Sequence, residues 1–202
     1  KNIKEDKTMK PFADYETTQA AGEFEKLPKG AYEVKIEQAK VTTYTGKDGS
    51  TFEKLEIAFD IDKGEYAGYY RRNLESQQQE DKKWKGVLRI YVPKDDGSEK
   101  DQWTKRKFKA IIQAIEDSNP GYHWDWNEAG LKDKIVGCIF QWKEWAYNGK
   151  SGWFANPYNF IDVAKVRSGE FKLPDDKPLP KDQKPVDINI SAEDDSEEDL
   201  PF

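Results

Sequence analysis

Residues 101–118 read DQWTKRKFKAIIQAIEDS, and this stretch decides the fold because it holds the clearest helix in the sequence. Phe108, Ile112 and Ile115 recur at the period of an α-helix and form one apolar stripe. Asp101 is the predicted N-cap, and the Asn-Pro-Gly sequence that follows ends the helix. The topology then depends on how many strands stand on either side of this helix.

The sequence before the helix alternates between apolar and polar residues, which is typical of half-buried strands. Three strands are predicted there, beginning at Ala31, at Lys54 and at Tyr69, and the third ends at Leu74. A further apolar stretch, 86–92, fits a short strand or a buried helix turn, and the sequence does not decide between them. In the second strand Leu55, Ile57, Phe59 and Ile61 are predicted to face inward, and Lys54, Glu56 and Asp60 outward.

Two strands joined by a tight turn are predicted after the helix. Asn148-Gly149 is a strong hairpin-turn signal, and the returning strand is expected over 153–166. Pro157 predicts a bulge or an edge position in that strand, because proline cannot donate a ladder hydrogen bond. The strand over 135–147 places Val136, Cys138, Phe140 and Trp142 on one face and Gln141, Lys143, Trp145 and Tyr147 on the other.

Three strands, a helix and two strands follow one another in the order of an OB-fold. This is a small, mainly β, five-stranded barrel with one helix between strands 3 and 4. The chain accordingly divides into four predicted regions. They are an N-terminal arm (1–29), the OB-fold domain (30–167), a Pro-rich linker (168–192) and a disordered acidic tip (193–202).

Charge is unevenly distributed along the chain, whose net charge is −6. From Pro185 onward there are seven acidic residues and no basic ones, so residues 1–184 carry 33 basic and 32 acidic side chains, a net of +1. One cysteine, Cys138, excludes an internal disulfide framework, and one histidine, His123, leaves too few ligands for a zinc site. We expect a cytoplasmic protein, since the sequence has neither a signal peptide nor an apolar membrane span.

Features of an enzyme are lacking in the sequence. It contains no Gly-rich phosphate loop, no convincing pair of a nucleophile with histidine and no metal-ligand spacing. We therefore expect a protein that is not an enzyme and has no cofactor and no metal. A nuclease with a magnesium site built from carboxylates alone stays open, although nothing places two or three acidic residues together.

Aromatic and basic residues share several stretches of the predicted domain. Unpaired DNA is held by rings that stack on bases and by cations that follow the phosphates. The sequence therefore predicts a single-stranded DNA-binding surface in the first hairpin loop, on the third strand and on the last hairpin. Its candidate residues are Tyr44, Lys47, Tyr69, Tyr70, Arg71, Arg72, Lys143, Trp145, Tyr147, Trp153 and Tyr158.

Each candidate also has a structural interpretation. Tryptophan is more often partly buried than a stacking platform, and Trp142 is assigned to the core. Trp145 could serve either purpose, and so could Tyr147. Arg71 and Arg72 could contact phosphates or form surface ion pairs only.

The last ten residues, EDDSEEDLPF, join six carboxylates to an apolar end. A block of like charges stays solvated and does not join a core. An aromatic residue beside a free carboxylate can be gripped by an apolar pocket flanked by cations, a recurring mode of peptide recognition. We therefore interpret this segment as an interaction site for a partner protein rather than as a solubility device.

The residues Glu198-Asp199-Leu200-Pro201-Phe202 resemble the tail of bacterial single-stranded DNA-binding proteins, with Leu200 where isoleucine is usual. The body is similar to phage-encoded single-stranded DNA-binding proteins with an OB-fold, through Gly30–Val34, Gly64–Gly68 and Leu131–Gly137. The resemblance implies a protein in the cytoplasm of a bacterial host whose tip docks onto replication and recombination enzymes. The implied docking residues are Asp194, Asp195, Glu197, Glu198, Asp199, Leu200, Pro201 and Phe202.

Two functions of different classes follow from the sequence. The first is binding of single-stranded DNA without strong sequence preference, protecting it in phage replication or recombination while the tip recruits enzymes. The alternative is an adaptor or DNA-mimic protein that acts through protein–protein contacts. The sequence does not reveal the oligomeric state, and a homo-oligomer is compatible with either function.

Overall fold

A computed structural model of the chain describes residues 13, 25–148 and 150–180. They form a five-stranded antiparallel sheet in the order β3-β2-β1-β4-β5, and β3 and β5, at the two ends of this order, contact each other. The strands are β1 (Ala31–Thr45), β2 (Thr51–Ile61), β3 (Val87–Tyr91), β4 (Ile135–Tyr147) and β5 (Lys150–Ile161). The helices are α1 (Tyr69–Ser76), α2 (Glu99–Ser118), a short 3₁₀ helix (Glu128–Leu131) and α3 (Val163–Ser168).

The core lies on the face of the sheet that the alternation of β2 predicts. Leu55, Ile57, Phe59 and Ile61 are all buried, as expected for its inward positions. Phe59 is the centre of an aromatic group and meets Phe140 and Phe160 edge-on, with ring centroids 6.2 and 5.7 Å apart. Edge-to-face contacts of this kind add to the stability that burial of the rings provides.

The prediction of a third strand over 69–74 is wrong, because these residues form α1. The turn before it ends at Gly68, whose φ of 73° is left-handed. Asp60 of β2 then accepts hydrogen bonds from the backbone amides of Tyr70 (2.9 Å) and Arg71 (3.2 Å). These amides belong to the first turn of α1, where no intrahelical partner exists, so Asp60 caps the helix across the chain.

The third strand is instead β3, the stretch for which the sequence allowed either a strand or a helix turn. It pairs antiparallel with β2, with Leu88 opposite Ile57 and Ile90 opposite Leu55. Both β3 residues are buried. Three strands therefore precede α2 and two follow it, as predicted, but α1 stands between β2 and β3.

Helix α2 packs the predicted stripe into the core, since Phe108, Ile112 and Ile115 are buried. Its N-cap is Ser98 rather than Asp101, because the Ser98 side chain accepts a hydrogen bond from the Asp101 amide at 3.1 Å. The Asp101 carboxylate accepts instead from the amides of Lys94 and Asp95 in the preceding loop.

Strands β4 and β5 form the predicted hairpin, in which Tyr147 pairs with Lys150 across the two-residue turn. Pro157 lies on β5, an end strand of the sheet order, beside a register shift opposite Ile139 and Phe140. The returning strand ends at Ile161, earlier than predicted, because Asp162 caps α3 by accepting a hydrogen bond from the Ala164 amide.

Part of the predicted Pro-rich linker lies against β4. The Lys177 amide donates to the carbonyl of Trp142 (2.7 Å), and the Glu144 amide donates to the carbonyl of Lys177 (2.9 Å). The Glu144 carboxylate also accepts from the Leu179 amide at 2.9 Å. We call residues 175–179 the strap. The acidic tip, its predicted disorder and most of the N-terminal arm lie outside the described residues.

Within the described part of the chain, no helix is long and apolar enough to cross a membrane.

Candidate nucleic-acid interface

Three aromatic rings lie together on the side of β1, β2 and β3 that faces away from the core. We call Tyr44, Phe52 and Tyr91 the three-ring cluster. Tyr44 and Phe52 are paired residues whose rings stack with centroids 5.6 Å apart and planes 9° from parallel. The ring of Tyr91 lies 5.5 Å from that of Phe52. Of these residues only Tyr44 was predicted as a site residue.

Lys54 places its ammonium group among these three rings. Its Nζ atom lies 5.3, 5.6 and 4.7 Å from the centroids of Tyr44, Phe52 and Tyr91. The residue is only 2% exposed. The positive charge is therefore covered by the faces of aromatic rings, to which cations are attracted by the ring quadrupole.

Glu56, two residues after Lys54 on the same face of β2, supplies a carboxylate that contacts Tyr44 and Arg89. It is buried, and its Oε1 atom accepts hydrogen bonds from Tyr44 Oη and from Arg89 Nε at 2.9 Å. Burial raises the pKa of Glu56, but the hydrogen bonds from Tyr44 and Arg89 outweigh it, so the net pKa lies below its ordinary value. The carboxylate thus stays ionised at neutral pH and fixes the hydroxyl of Tyr44.

A second group of rings lies on the β4–β5 hairpin, and we call Lys143, Trp145, Tyr147 and Phe154 the hairpin cluster. The register pairs Lys143 with Phe154 and Trp145 with Gly152, so all four side chains share the face away from the core. Tyr147 is 38% and Phe154 42% exposed. A Cβ atom at Gly152 would stand 3.0 Å from Nε1 of Trp145, so the indole lies directly on the Gly152 backbone.

The structure separates Trp153 and Tyr158 from the hairpin cluster. Trp153 pairs with Glu144 and so projects from the opposite face of the hairpin, although it is exposed. Tyr158 is also exposed and stands at the register shift, between Pro157 and Asn159. Trp142, assigned to the core from the sequence, lies on the expected face but is only half-buried.

The predicted aromatic-basic cluster at 69–72 is rearranged because these residues are helical. Tyr70 is only 4% exposed and packs edge-on against Phe59, so its ring is not presented to a base. Tyr69 is half-buried beside it. Arg71 and Arg72 are exposed and lie 3.6 Å from Glu37 and from Glu25, which is the ion-pair interpretation left open above.

The loop between β1 and β2 carries the remaining predicted cation, Lys47. Its side chain is exposed. The loop is closed by a 2.7 Å hydrogen bond from the Gly46 amide to the Ser50 carbonyl and by one from the Ser50 amide to the Asp48 carboxylate at 2.9 Å. Lys47 therefore stands on an ordered loop next to the end of β1 that holds Tyr44.

Sequence reasoning did not single out several residues that complete these clusters. The alternation that placed Lys54 outward also places Phe52 outward, so this ring could have been found. Tyr91 and Arg89 could not, because the sequence left their stretch undecided between strand and helix. The missed residues are Phe52, Lys54, Arg89, Tyr91 and Phe154.

Among the described residues, no group of three or more His, Cys, Asp or Glu side chains could hold a metal ion. Cys138 is a free thiol buried in the core.

Comparison of the chain with protein-family models and with curated proteins gives no match. The proposals that follow therefore depend on the geometry of the two ring clusters.

Proposed function

We propose that this chain binds single-stranded DNA through the three-ring cluster and the hairpin cluster, without strong sequence preference. The observation that carries the proposal is that aromatic rings and cations share the face of the sheet that the core leaves free. Each base stacked on an aromatic ring contributes about 1–3 kcal/mol, and every base offers a ring face. A few stacked bases and phosphate contacts therefore suffice for useful affinity.

The arrangement of the sheet supports an OB-fold barrel as the scaffold. Its strand order, the contact between β3 and β5 and the position of α2 between β3 and β4 all fit that architecture. In OB-folds the loops after strands 1 and 4 flank the nucleic-acid groove. Here those two connections are the Lys47 loop and the one between Tyr147 and Lys150, next to the hairpin cluster.

Phosphate contacts come from cations at the margins of the rings. Lys143 stands on the hairpin face beside Trp145, and Lys47 stands on the first loop. Arg71 and Arg72 lie at exposed positions of α1, and each has a carboxylate partner at 3.6 Å. Exposed ion pairs of this kind contribute little free energy, so a phosphate can replace the carboxylate at small cost. Such contacts position a strand without reading its bases.

The acidic tip would recruit replication or recombination enzymes of a phage, in the cytoplasm of its host, to the single-stranded DNA that the sheet binds. Its acidic residues followed by Leu200-Pro201-Phe202 have the chemistry of a peptide whose aromatic residue enters an apolar pocket flanked by cations. An adaptor or DNA-mimic function would use the same end, with the sheet binding protein instead of DNA. The two proposals differ in whether the sheet responds to unpaired DNA.

Replacement of Trp145 by leucine tests the hairpin cluster. We expect Trp145→Leu to weaken binding to poly-dT by about 1–3 kcal/mol, roughly five- to 150-fold, because one stacking platform is lost. The matched control is Trp126→Leu, which removes a tryptophan that is 78% exposed and lies on Phe108 of α2, outside both clusters. Equal effects of the two substitutions, or none from Trp145→Leu, would reject the hairpin cluster as the site.

A further inference from the structure

Lys54 is an unusual lysine because its charge is buried. A buried ammonium group costs free energy unless compensating groups surround it. Here the residue is 2% exposed, and the compensation includes the faces of three rings within 5.6 Å of Nζ. A lysine meant only to attract phosphates would keep its ammonium in water on its flexible stem.

The register explains why one ammonium group reaches all three rings. Lys54 pairs directly with Tyr91 of β3, and Phe52 lies two residues before it on the same face of β2. Tyr44 of β1 pairs with Phe52. Lys54 therefore stands where side chains from three strands converge, and removal of its charge loosens all three rings at once.

A second contact fixes Tyr44 independently of Lys54. Its hydroxyl donates to Glu56, whose carboxylate is in turn held by Arg89 at 2.9 Å. The Tyr44 ring is thus attracted to the ammonium group through its face and tied through its hydroxyl. Side chains fixed in their bound conformation before a ligand arrives lose less entropy on binding.

We propose that Lys54 is a positioning residue, which holds Tyr44, Phe52 and Tyr91 in the arrangement that stacks on bases while making no contact with phosphate. This inference rests on the proposed function and names a further residue of the same site. It predicts an uncommon combination for a lysine in a DNA-binding face: affinity depends on its charge, but the salt dependence of affinity does not.

The salt dependence of poly-dT binding separates these roles. A cation that contacts a phosphate of a single strand contributes about 0.7 to the slope of log affinity against log salt concentration. We expect Lys54→Met to weaken binding about tenfold, within the range that cation–π contacts to three rings allow, and to leave this slope unchanged. Lys143→Met, on the face of the hairpin away from the core, is the reference for a lost phosphate contact. A weaker salt dependence of affinity in Lys54→Met, or an affinity equal to that of the wild type, would overturn the inference.

A double-mutant cycle with Tyr91→Leu shows whether Lys54 acts through the rings. If it does, the losses of affinity from Lys54→Met and Tyr91→Leu are less than additive, since each removes part of the same arrangement. A role of Lys54 in fold stability alone would not change the affinity of the folded variant and would give no coupling in affinity. Additive losses, or no loss from Lys54→Met, would contradict the proposal.

Chemical labelling of the wild-type protein keeps the inference falsifiable if Lys54→Met does not fold. Reductive methylation should leave Lys54 unmodified with and without poly-dT, while Lys47 is modified in the free protein. Labelling of Lys54 in the free protein that poly-dT then blocks would overturn the inference. If the wild-type protein does not bind poly-dT, both the proposed function and this inference are wrong. If the wild type binds and Lys54→Met binds with an altered salt dependence, only the inference is wrong.

Discussion

Asp60 on β2 caps the helix that replaces the predicted third strand. It is 5% exposed, and its carboxylate accepts hydrogen bonds from the amides of Ile61, Tyr70 and Arg71. The sequence showed Asp60 as an outward strand residue and gave no sign of the capping role, because a cap from a different element has no local signature. The wrong prediction over 69–74 thus falls where the helix start is stabilised by a residue of another element.

Replacement of Asp60 by alanine should lower the free energy of unfolding by about 2 kcal/mol. The change removes an N-terminal cap and leaves the amides of Ile61, Tyr70 and Arg71 without this acceptor. Urea unfolding measures the loss. Asp62→Ala is the matched control, because its carboxylate accepts no hydrogen bond within the described part of the chain. Equal stability of the two variants would show that α1 does not depend on this cap.

Glu33 gives the fold a defined dependence on pH. Arg167 donates two hydrogen bonds of 2.9 Å to its carboxylate, and Lys63 donates one of 2.7 Å. These contacts, with the Arg167 hydrogen bonds as the largest cause, hold the pKa of Glu33 below its ordinary value of 4.5. A carboxylate with a lowered pKa stabilises the folded state above that ordinary value and loses this contribution as pH falls through the folded pKa.

Arg167→Met should therefore unfold more easily than the wild type at neutral pH, and the difference should shrink as the medium is acidified. Urea unfolding at a series of pH values measures it. Arg106→Met, at an exposed position on α2, is the control for loss of a surface arginine. A difference in stability that stays constant down to about pH 2 would show that the Glu33 carboxylate is not its source.

At the scale of elements, the parts of the fold that were predicted correctly are those whose signal is local. The inward face of β2, the stripe of α2 and the Asn-Gly hairpin each follow from the spacing of residues within one segment. The strap could not be predicted, because it occupies the part of the β4 edge that β1 leaves unpaired, and this part depends on where β1 begins. The Phe140 amide donates to the carbonyl of Gly30, just before β1, and beyond this point the strap takes the edge of β4 at Trp142 and Glu144.

The strap is held to β4 by backbone hydrogen bonds, so proline should release it where alanine does not. Lys177→Pro removes the amide that donates to Trp142, and we expect the Glu144 amide to exchange its hydrogen faster. Lys177→Ala keeps the backbone donor and should leave that exchange slow. Hydrogen exchange resolved by NMR gives the comparison. Fast exchange at Glu144 in the wild type would mean that the strap does not hold this edge.

At the scale of the whole molecule, the part of the chain that holds the sheet and the part that holds the acidic tip carry net charges of opposite sign. Residues 1–184 carry a net charge of +1 and residues 185–202 carry −7, by the counts of acidic and basic side chains. The strap fixes the chain up to Leu179 against β4. We therefore expect the carboxylates of the acidic tip to compete with phosphates for the cations on the sheet.

Deletion of residues 193–202 should therefore tighten binding to poly-dT at low salt, because six carboxylates no longer compete with phosphates. The gain should fade near physiological salt, where the screening length falls to about 8 Å. A variant with amides in place of the six carboxylates, and with Leu200–Phe202 kept, should behave like the deletion. Unchanged affinity of both variants at low salt would contradict competition by the acidic end.

The most direct measurement is a titration of the full chain with poly-dT and with a duplex of equal length, followed by tryptophan fluorescence. If rings on the sheet stack on unpaired bases, poly-dT quenches the emission to a plateau and the duplex does so only weakly. Emission that poly-dT does not change, or an equal response to the duplex, would contradict stacking of unpaired bases on the hairpin cluster, which holds Trp145.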